Sequence, residues 1–424
     1  MIMSYKSWPK EHSAKLNRPL RSKLRHTRTK DARKPLIPVI IQLQRPLTPD
    51  LLRSLKLHAA PYKLHIHHKL NLLQSVSCRV PAGCLKKLCA CGAVSRIYLD
   101  RIKRASLNIA APSIGAAAVR RSAGLDGRGV RIAVLDTGVY PHPDLIRPVN
   151  RIAAFKDFVN HRIRPYDDNG HGTHIAGDAA GNGWSSRGKY RGPAPRAGIV
   201  AVKVLDEDGF GYDSTIIKGI EWCIARRKRL KLRILSLSLG GPALTPCHDD
   251  PLCQAVERAV RAGLVVVIAA GNAGPGRGTI ESPGTSPAAI TVGAVDDRRT
   301  VWQGDDRVTL FSSRGPAAGR ICKPDLAAPG ESVISLRAPG SALDRELPYL
   351  RVGTRYFTLS GTSISTPIVS GAAALMLQRN PSLTPGKVKM LLKRNAFRLK
   401  ESRRAVGSGE VNVRFLKARV RRCR

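Results

Sequence analysis

Two histidines, His171 and His174, stand in NGHGTHIAG, residues 169–177, fenced by glycines. At that spacing they can meet on one helix face as metal ligands do; a single histidine beside a glycine turn can instead act as a general base. A zinc pair of the H-E-x-x-H kind needs a third ligand and a glutamate after the first histidine, and Gly172 and Thr173 fill that gap here. His174 therefore reads as a packed or internally bonded neighbour, and His171 as the reactive residue. Asp136 closes the apolar run VRIAVLD, where a lone acid could simply cap the next turn. Ser363 lies in LSGTSISTP, among small residues that let a substrate backbone approach. The apolar helix IVSGAAALMLQ follows, and its amide dipoles would face negative charge developing at the serine. Acid, imidazole and hydroxyl together are what nucleophilic acyl transfer needs.

The elements that would hold these groups have a clear rhythm after Gly129. Apolar strands are expected at 130–136, 199–206, 232–241, 264–272 and 288–295, alternating with helices such as TIIKGIEWCIARRKR and QAVERAVRAG. Such alternation means an α/β fold, a parallel sheet covered by helices on both faces, with ligands at the carboxyl ends of its strands. Asp136, Ser238 and Asn272 end three of those strands. Before this region, 35–104 reads strand, helix, strand, strand, helix, strand, a small ferredoxin-like α+β module. Residues 1–34 and 413–424 read as basic tails, the first poorly ordered, and 105–412 as the main domain.

The blocks AVLDTGV, DDNGHGTHIAGD, SLSLGG, AAGNAGP and GTSISTP occur in that order, and they resemble the signature blocks of the subtilisin-like serine proteases, the subtilases. The stretches GNGWSSRGKYRGPAP and SLSLGGPALTP are most similar to the leaderless, intracellular-type subtilases of Bacillus relatives. The resemblance implies a subtilisin-like fold and a serine endopeptidase that acts on polypeptides. It makes Asp136 the orienting carboxylate, His171 the general base, Ser363 the nucleophile and Asn272 the oxyanion-hole amide, with the Ser363 backbone N–H as second donor. Ser238, Leu239 and Gly240 match the strand that pairs with substrate and walls the S1 pocket; Ala269, Ala270 and Gly271 match the other wall. By its spacing from Asn272, Glu281 falls at the pocket base, where a carboxylate would favour Lys or Arg at P1. A change in loop length would put it on the surface instead. The 35–104 module is then similar to a propeptide that chaperones and inhibits, with self-cleavage expected after Arg104 in Arg101-Ile-Lys-Arg104; a stable accessory domain is the alternative. Structural calcium is common in the family. Asp144, Asp167 and Asp168 are the candidate carboxylates, but the basic loop GNGWSSRGKY places no site, and no metal or other cofactor is expected to be required.

Composition narrows the rest. The 424 residues carry a formal net charge of +42 spread along the whole chain, with only 5% aromatics. No nucleic-acid motif accompanies the charge, so it implies weak, nonspecific adsorption to polyanions. A catalytically idle, basic binding protein is the competing reading from another class. No apolar run approaches the ~18 residues of a membrane span. The basic N-terminus lacks an apolar h-region, so a cytoplasmic, monomeric enzyme is expected, with non-classical export left open. The nine cysteines are odd in number and unevenly spaced. They read as reduced thiols, and CLKKLCAC, which has no matching Cys/His pair at zinc spacing, as a plain helix.

Overall fold

The computed structural model describes residues 14–16, 20–21, 24, 36–70, 74–99, 107–317, 319 and 321–417. The chain divides into two compact units, 1–103 and 104–424. Arg101–Arg104, with the cleavage point expected there, lies outside the described residues, as do most of residues 1–34 and the chain beyond 417.

The first unit is a four-stranded antiparallel sheet backed by two helices. Its strands are β1 (Ile37–Leu43), β2 (Ile66–Leu70), β3 (Ser75–Val80) and β4 (Val94–Leu99), in spatial order β2-β3-β1-β4. β1 alternates buried and half-buried residues, the period-two signature of a sheet with one covered face. Helix α1 (Pro49–Ala59) starts where the Thr48 hydroxyl accepts from the Leu51 N–H, and α2 (Ala82–Ala90) carries CLKKLCA. Leu55, Leu85 and Leu88 from the helices meet Ile37, Val39 and Ile97 from the sheet. Three leucines from the expected N-terminal tail join this core: Leu16, Leu20 and Leu24 are 2%, 0% and 9% exposed. That segment is anchored by its apolar residues, so its basic composition does not make all of it a solvated tail. Burial holds the Cys84 and Cys89 thiols up at about 11, with Lys87 and Lys15 pulling the other way, so both stay protonated, inert packing residues.

The second unit is built on a sheet in the order β11-β10-β9-β8-β5-β7-β6, with β12 beside β10. Its parallel strands are β5 (Arg131–Asp136), β6 (Ile152–Asp157), β7 (Gly198–Lys203), β8 (Leu232–Leu237), β9 (Val265–Ala269), β10 (Ile290–Asp296) and β12 (Leu326–Pro329); β11 (Arg307–Val308) is antiparallel to β10. Residue parity shows the two covered faces. Ile132 and Val134 of β5 point to one core, with α3 (His171–Ala180) and α6 (Thr362–Arg379). Ala133 and Leu135 point to the other, with α4 (Asp213–Arg226) and α5 (Pro251–Arg261). α6 is buried along almost its whole length, which its Ser, Gly and Ala residues permit: a Cβ on Gly371 would fall 2.8 Å from the Ala179 carbonyl of α3, too close to be tolerated. β6 was not expected from the sequence. It is an edge strand whose residues are mostly half-buried, so it lacks the continuous apolar run of its neighbours.

One expectation about the cysteines is corrected. Cys247 and Cys253 are joined in a disulfide, while Cys78, Cys84, Cys89, Cys91, Cys223 and Cys322 are free thiols. A turn brings the two sulfurs together across six residues of sequence, a juxtaposition that composition does not show.

Candidate active site

Asp136 closes β5 in the middle of the sheet, and the chain turns there toward α3. Its Oδ1 accepts from the Thr137 N–H at 2.8 Å and lies 2.8 Å from His171 Nδ1. Its Oδ2 is buried and meets no donor among the described residues. His171 opens α3, and its imidazole keeps a 22% exposed edge while the Asp136 side chain is closed off. Burial alone would lower the imidazole pKa. The charge and hydrogen bond of Asp136 outweigh it, so the net direction is up. The glycines beside His171 make room for protein rather than for substrate. A Cβ on Gly172 would fall 2.1 Å from the Gly138 carbonyl, and one on Gly170 2.6 Å from Ser341 Oγ. Gly172 lets α3 press directly onto the end of β5, and Gly170 admits the Ser341 side chain.

Residues outside the sequence motifs hold this junction. The Thr137 hydroxyl donates to Asp167 Oδ1 at 2.9 Å and accepts from the Gly172 N–H at 2.9 Å. Asp167 also takes the N–H of Gly170 and both the N–H and hydroxyl of Thr173. Lys203, fully buried, donates to the carbonyls of Thr137 and Leu205 and to Asp168 at 2.6 Å. Asp144 accepts from the Tyr356 hydroxyl and the Ser185 N–H. The three carboxylates considered for calcium thus each accept from an internal donor. His174 is 1% exposed and faces Asp178 Oδ2 at 2.7 Å and the Phe357 carbonyl at 3.2 Å, inside the core.

Ser363 is the second residue of α6, half-buried at a helix N-terminus. Its carbonyl accepts from the Ser238 hydroxyl at 2.7 Å, which ties the helix start to the end of β8. Asn272 is exposed, yet its amide is fixed. Oδ1 accepts from the Thr362 N–H at 2.9 Å and hydroxyl at 3.1 Å, which leaves Nδ2 to donate elsewhere. Nδ2 and Ser363 Oγ border the same space above Gly361. Thr362 is the residue the motif reading missed, although it lies inside the GTSISTP block.

His171, Ser363, Asn272, Ser238, Leu239, Gly240, Ala269, Gly271 and Glu281 line one cavity of about 790 Å³. Ala270 does not line it: it is fully buried behind the wall with Ile280 and Ala317, and its carbonyl accepts the Glu281 N–H. Glu281 is half-buried inside the cavity rather than on the surface. Its carboxyl group lies over Gly271 and Gly240, where Cβ atoms would come 2.4 Å and 3.1 Å from it. Burial raises its pKa, and the Asn272 N–H bonded to it opposes that rise.

A carboxylate–imidazole pair, a serine at a helix start and a tethered amide, on strand ends of a parallel sheet, coincide with a family match. The model of the subtilase family matches residues 127–413.

The chain is a subtilase.

It is 49% identical over 353 residues to the serine protease AprX of Bacillus subtilis, covering 81% of this chain and 79% of that one. It is 39% identical over 290 residues to subtilisin Savinase of Lederbergia lenta, 68% of this chain and 91% of the relative. Among solved structures, Sphericase superposes with a TM-score of 0.57 at 33% identity, covering 70% of this chain and 97% of that one. The subtilase is accordingly a serine protease with a subtilisin-like fold. No helix among its described residues is long and apolar enough to cross a membrane.

Proposed function

We propose that this subtilase is an endopeptidase working through Asp136, His171 and Ser363, and that it selects Lys or Arg at P1 through Glu281. The observation that carries the reading is the 2.8 Å Asp136–His171 contact opening onto the cavity that Ser363 and Asn272 share. His171 takes the Ser363 hydroxyl proton as Oγ attacks the scissile carbonyl, and Asp136 stabilises the imidazolium. The oxyanion meets Asn272 Nδ2 and the Ser363 backbone N–H, donors preorganised by Thr362 and by the helix. His171 then protonates the leaving amine, and water, deprotonated by the same imidazole, frees the acyl-enzyme. Labelling by a fluorophosphonate probe, lost in Ser363→Ala, tests the nucleophile; an unlabelled wild type overturns it.

A P1 guanidinium or ammonium between the two glycine-lined walls would pair with the Glu281 carboxylate in a site short of water. That carboxyl group must be ionised to do so, and its pKa is raised, so the preference for basic P1 strengthens as pH rises. Cleavage profiling with a peptide library checks this: the basic preference is expected in wild type and lost in Glu281→Ala, and an unchanged profile rejects the role. Under the same reading Arg104 is a fitting self-cleavage point, and a mature N-terminus far from Ala105 by mass spectrometry would reject it. The 35–104 module then acts as a propeptide, and the enzyme works in the cytoplasm as a monomer.

A further inference from the structure

One wall of the cavity is built from a chain segment with little regular structure. After β8, residues 242–250 run past the opening, and Pro242, Leu244, Thr245 and Asp250 line it. Leu244 is 90% exposed, so the segment does not hold itself down by burial. Three attachments fix it. Gly241 and Ser282 exchange backbone hydrogen bonds at 3.0 and 2.9 Å. Asp250 caps α5 through the N–H groups of Leu252 and Cys253, and its other oxygen accepts from the Ser282 hydroxyl. The third is the disulfide between Cys247, at the far side of the turn, and Cys253, in the first turn of α5.

Ser282 is the residue after Glu281, so the Asp250–Ser282 bond ties this segment to the floor of the cavity. The disulfide closes a ring of seven residues around Asp250, so it constrains the unfolded chain less than a long-loop bridge would. Its main effect is local: it fixes the approach to Asp250 and hence the distance between Asp250 and Ser282. Cys247 is 6% exposed and Cys253 is fully buried, so Cys247 is the less enclosed of the two and the one nearer to an attacking thiol.

We propose that the Cys247–Cys253 disulfide is a redox-controlled staple on the substrate cleft: oxidised, it holds Asp250 on Ser282 and sets the Glu281 pocket; reduced, it lets that wall yield and weakens substrate binding. The proposal rests on the reading of this cavity as the substrate cleft. The step is thiol–disulfide exchange. A dithiol's thiolate attacks Cys247 Sγ, Cys253 leaves as a thiolate and takes a proton, and the reductant's second thiol resolves the mixed disulfide. The protein gains two electrons and two protons, and the dithiol becomes a cyclic disulfide. Oxidised glutathione reverses the change.

The test uses the full chain and a peptide substrate with Arg at P1, assayed before and after dithiothreitol. Alkylation and mass spectrometry establish that both sulfurs are free. Reduction is expected to raise KM about five- to tenfold and leave kcat within about twofold, since ground-state binding and not the reacting groups is disturbed. Reoxidation restores KM. Asp250→Ala, with the disulfide intact, is expected to show the raised KM already and to respond no further to dithiothreitol. A reduced enzyme with unchanged KM overturns the proposal, even if its melting temperature falls, because the bond is then only a stabiliser. An equal response of wild type and Asp250→Ala also overturns it. Fluorophosphonate labelling of the oxidised enzyme separates the two layers: absent labelling removes the cleft reading itself, whereas normal labelling with an unmoved KM removes only the staple.

Discussion

The His171–Asp136 pair and the trio Asp297, Asp306 and Glu410 bury carboxyl groups in the same unit and treat their protons in opposite ways. At the cleft, the buried acid faces a base, and the imidazole is drawn toward its cationic form. In the trio, acids face one another. Asp297, Asp306 and Glu410 are 2%, 0% and 0% exposed, and among the described residues the oxygens of Asp306 and Glu410 have no donor within full hydrogen-bond geometry. Burial pushes Asp297 up to about 7 and Asp306 to about 6, and holds Glu410 well above the carboxylate range. Asp296 and Asp305 reinforce the rise; Arg298, Arg299 and the Gln303 side chain oppose it. Glu410 and Asp306 are close enough to hydrogen-bond once one of them carries a proton. Burial penalises charge in both places; the partner decides whether a proton is poised to move or is held.

The largest break in this comparison is Asp136→Asn. It leaves the shape of the cleft but gives His171 an amide in place of a charge. A fall of roughly 10⁴-fold in kcat is expected with KM little changed, read from steady-state kinetics. Next is Asn272→Ala, which removes a neutral donor and leaves the Asp136–His171 pair intact. Its expected cost is roughly 10²–10³-fold in kcat, about 3 kcal/mol of transition-state stabilisation. A loss under tenfold would place the oxyanion elsewhere.

The pH profile sharpens the contrast. In the proposed mechanism His171 must be neutral to accept the serine proton, and its pKa is raised by Asp136. Activity is therefore expected to appear as pH rises through that elevated value, giving an acid limb above the ordinary histidine pKa of about 6.5. In Asp136→Asn the limb of the residual activity moves to lower pH, because the largest raising influence is gone and only the weaker pulls of Asp167 and Asp178 oppose burial. A limb that stays in place would mean that another group sets it.

How far the sequence discloses these two regions differs for a physical reason. The triad candidates sit in contiguous blocks on strand ends and helix starts, so Asp136, His171, Asn272 and Ser363 stand out with the parallel sheet that carries them. Glu281 was legible only as a choice between pocket and surface; the approach of its carboxyl group to Gly240 and Gly271 sets it against the wall of the cavity. The trio left no trace. Asp297 and Asp306 flank an ordinary-looking polar loop, and Glu410 lies near them in a distant segment whose Gly409 carbonyl and Val411 N–H pair with Ala327 of β12, beside β10. The Cys247–Cys253 pair was missed likewise, since five intervening residues can hold two cysteines apart as easily as together. β6, half-exposed at the sheet edge, lacked the apolar pattern that marked the other strands.

The smallest expected effect belongs to the trio and concerns stability alone. Unfolded carboxyls titrate near 4, whereas the folded Asp306 and Asp297 hold their protons to about 6 and about 7. Between those values the folded state binds protons that the unfolded state has released. The trio's contribution to stability is therefore full below about pH 4, falls as pH rises toward 7, and stays lower beyond. Glu410→Gln removes the most strongly held proton and offers Asp306 an amide donor, which suits an ionised neighbour. At pH 8 this variant is expected to gain about 1–2 kcal/mol, a melting temperature higher by about 2–4 °C or somewhat more. At pH 4.5 the gain should vanish, because the wild-type glutamic acid is neutral there too. Calorimetry on a Ser363→Ala background, which prevents autolysis, measures both. A gain equal at the two pH values would assign the effect to packing and detach it from the proton that the trio shares.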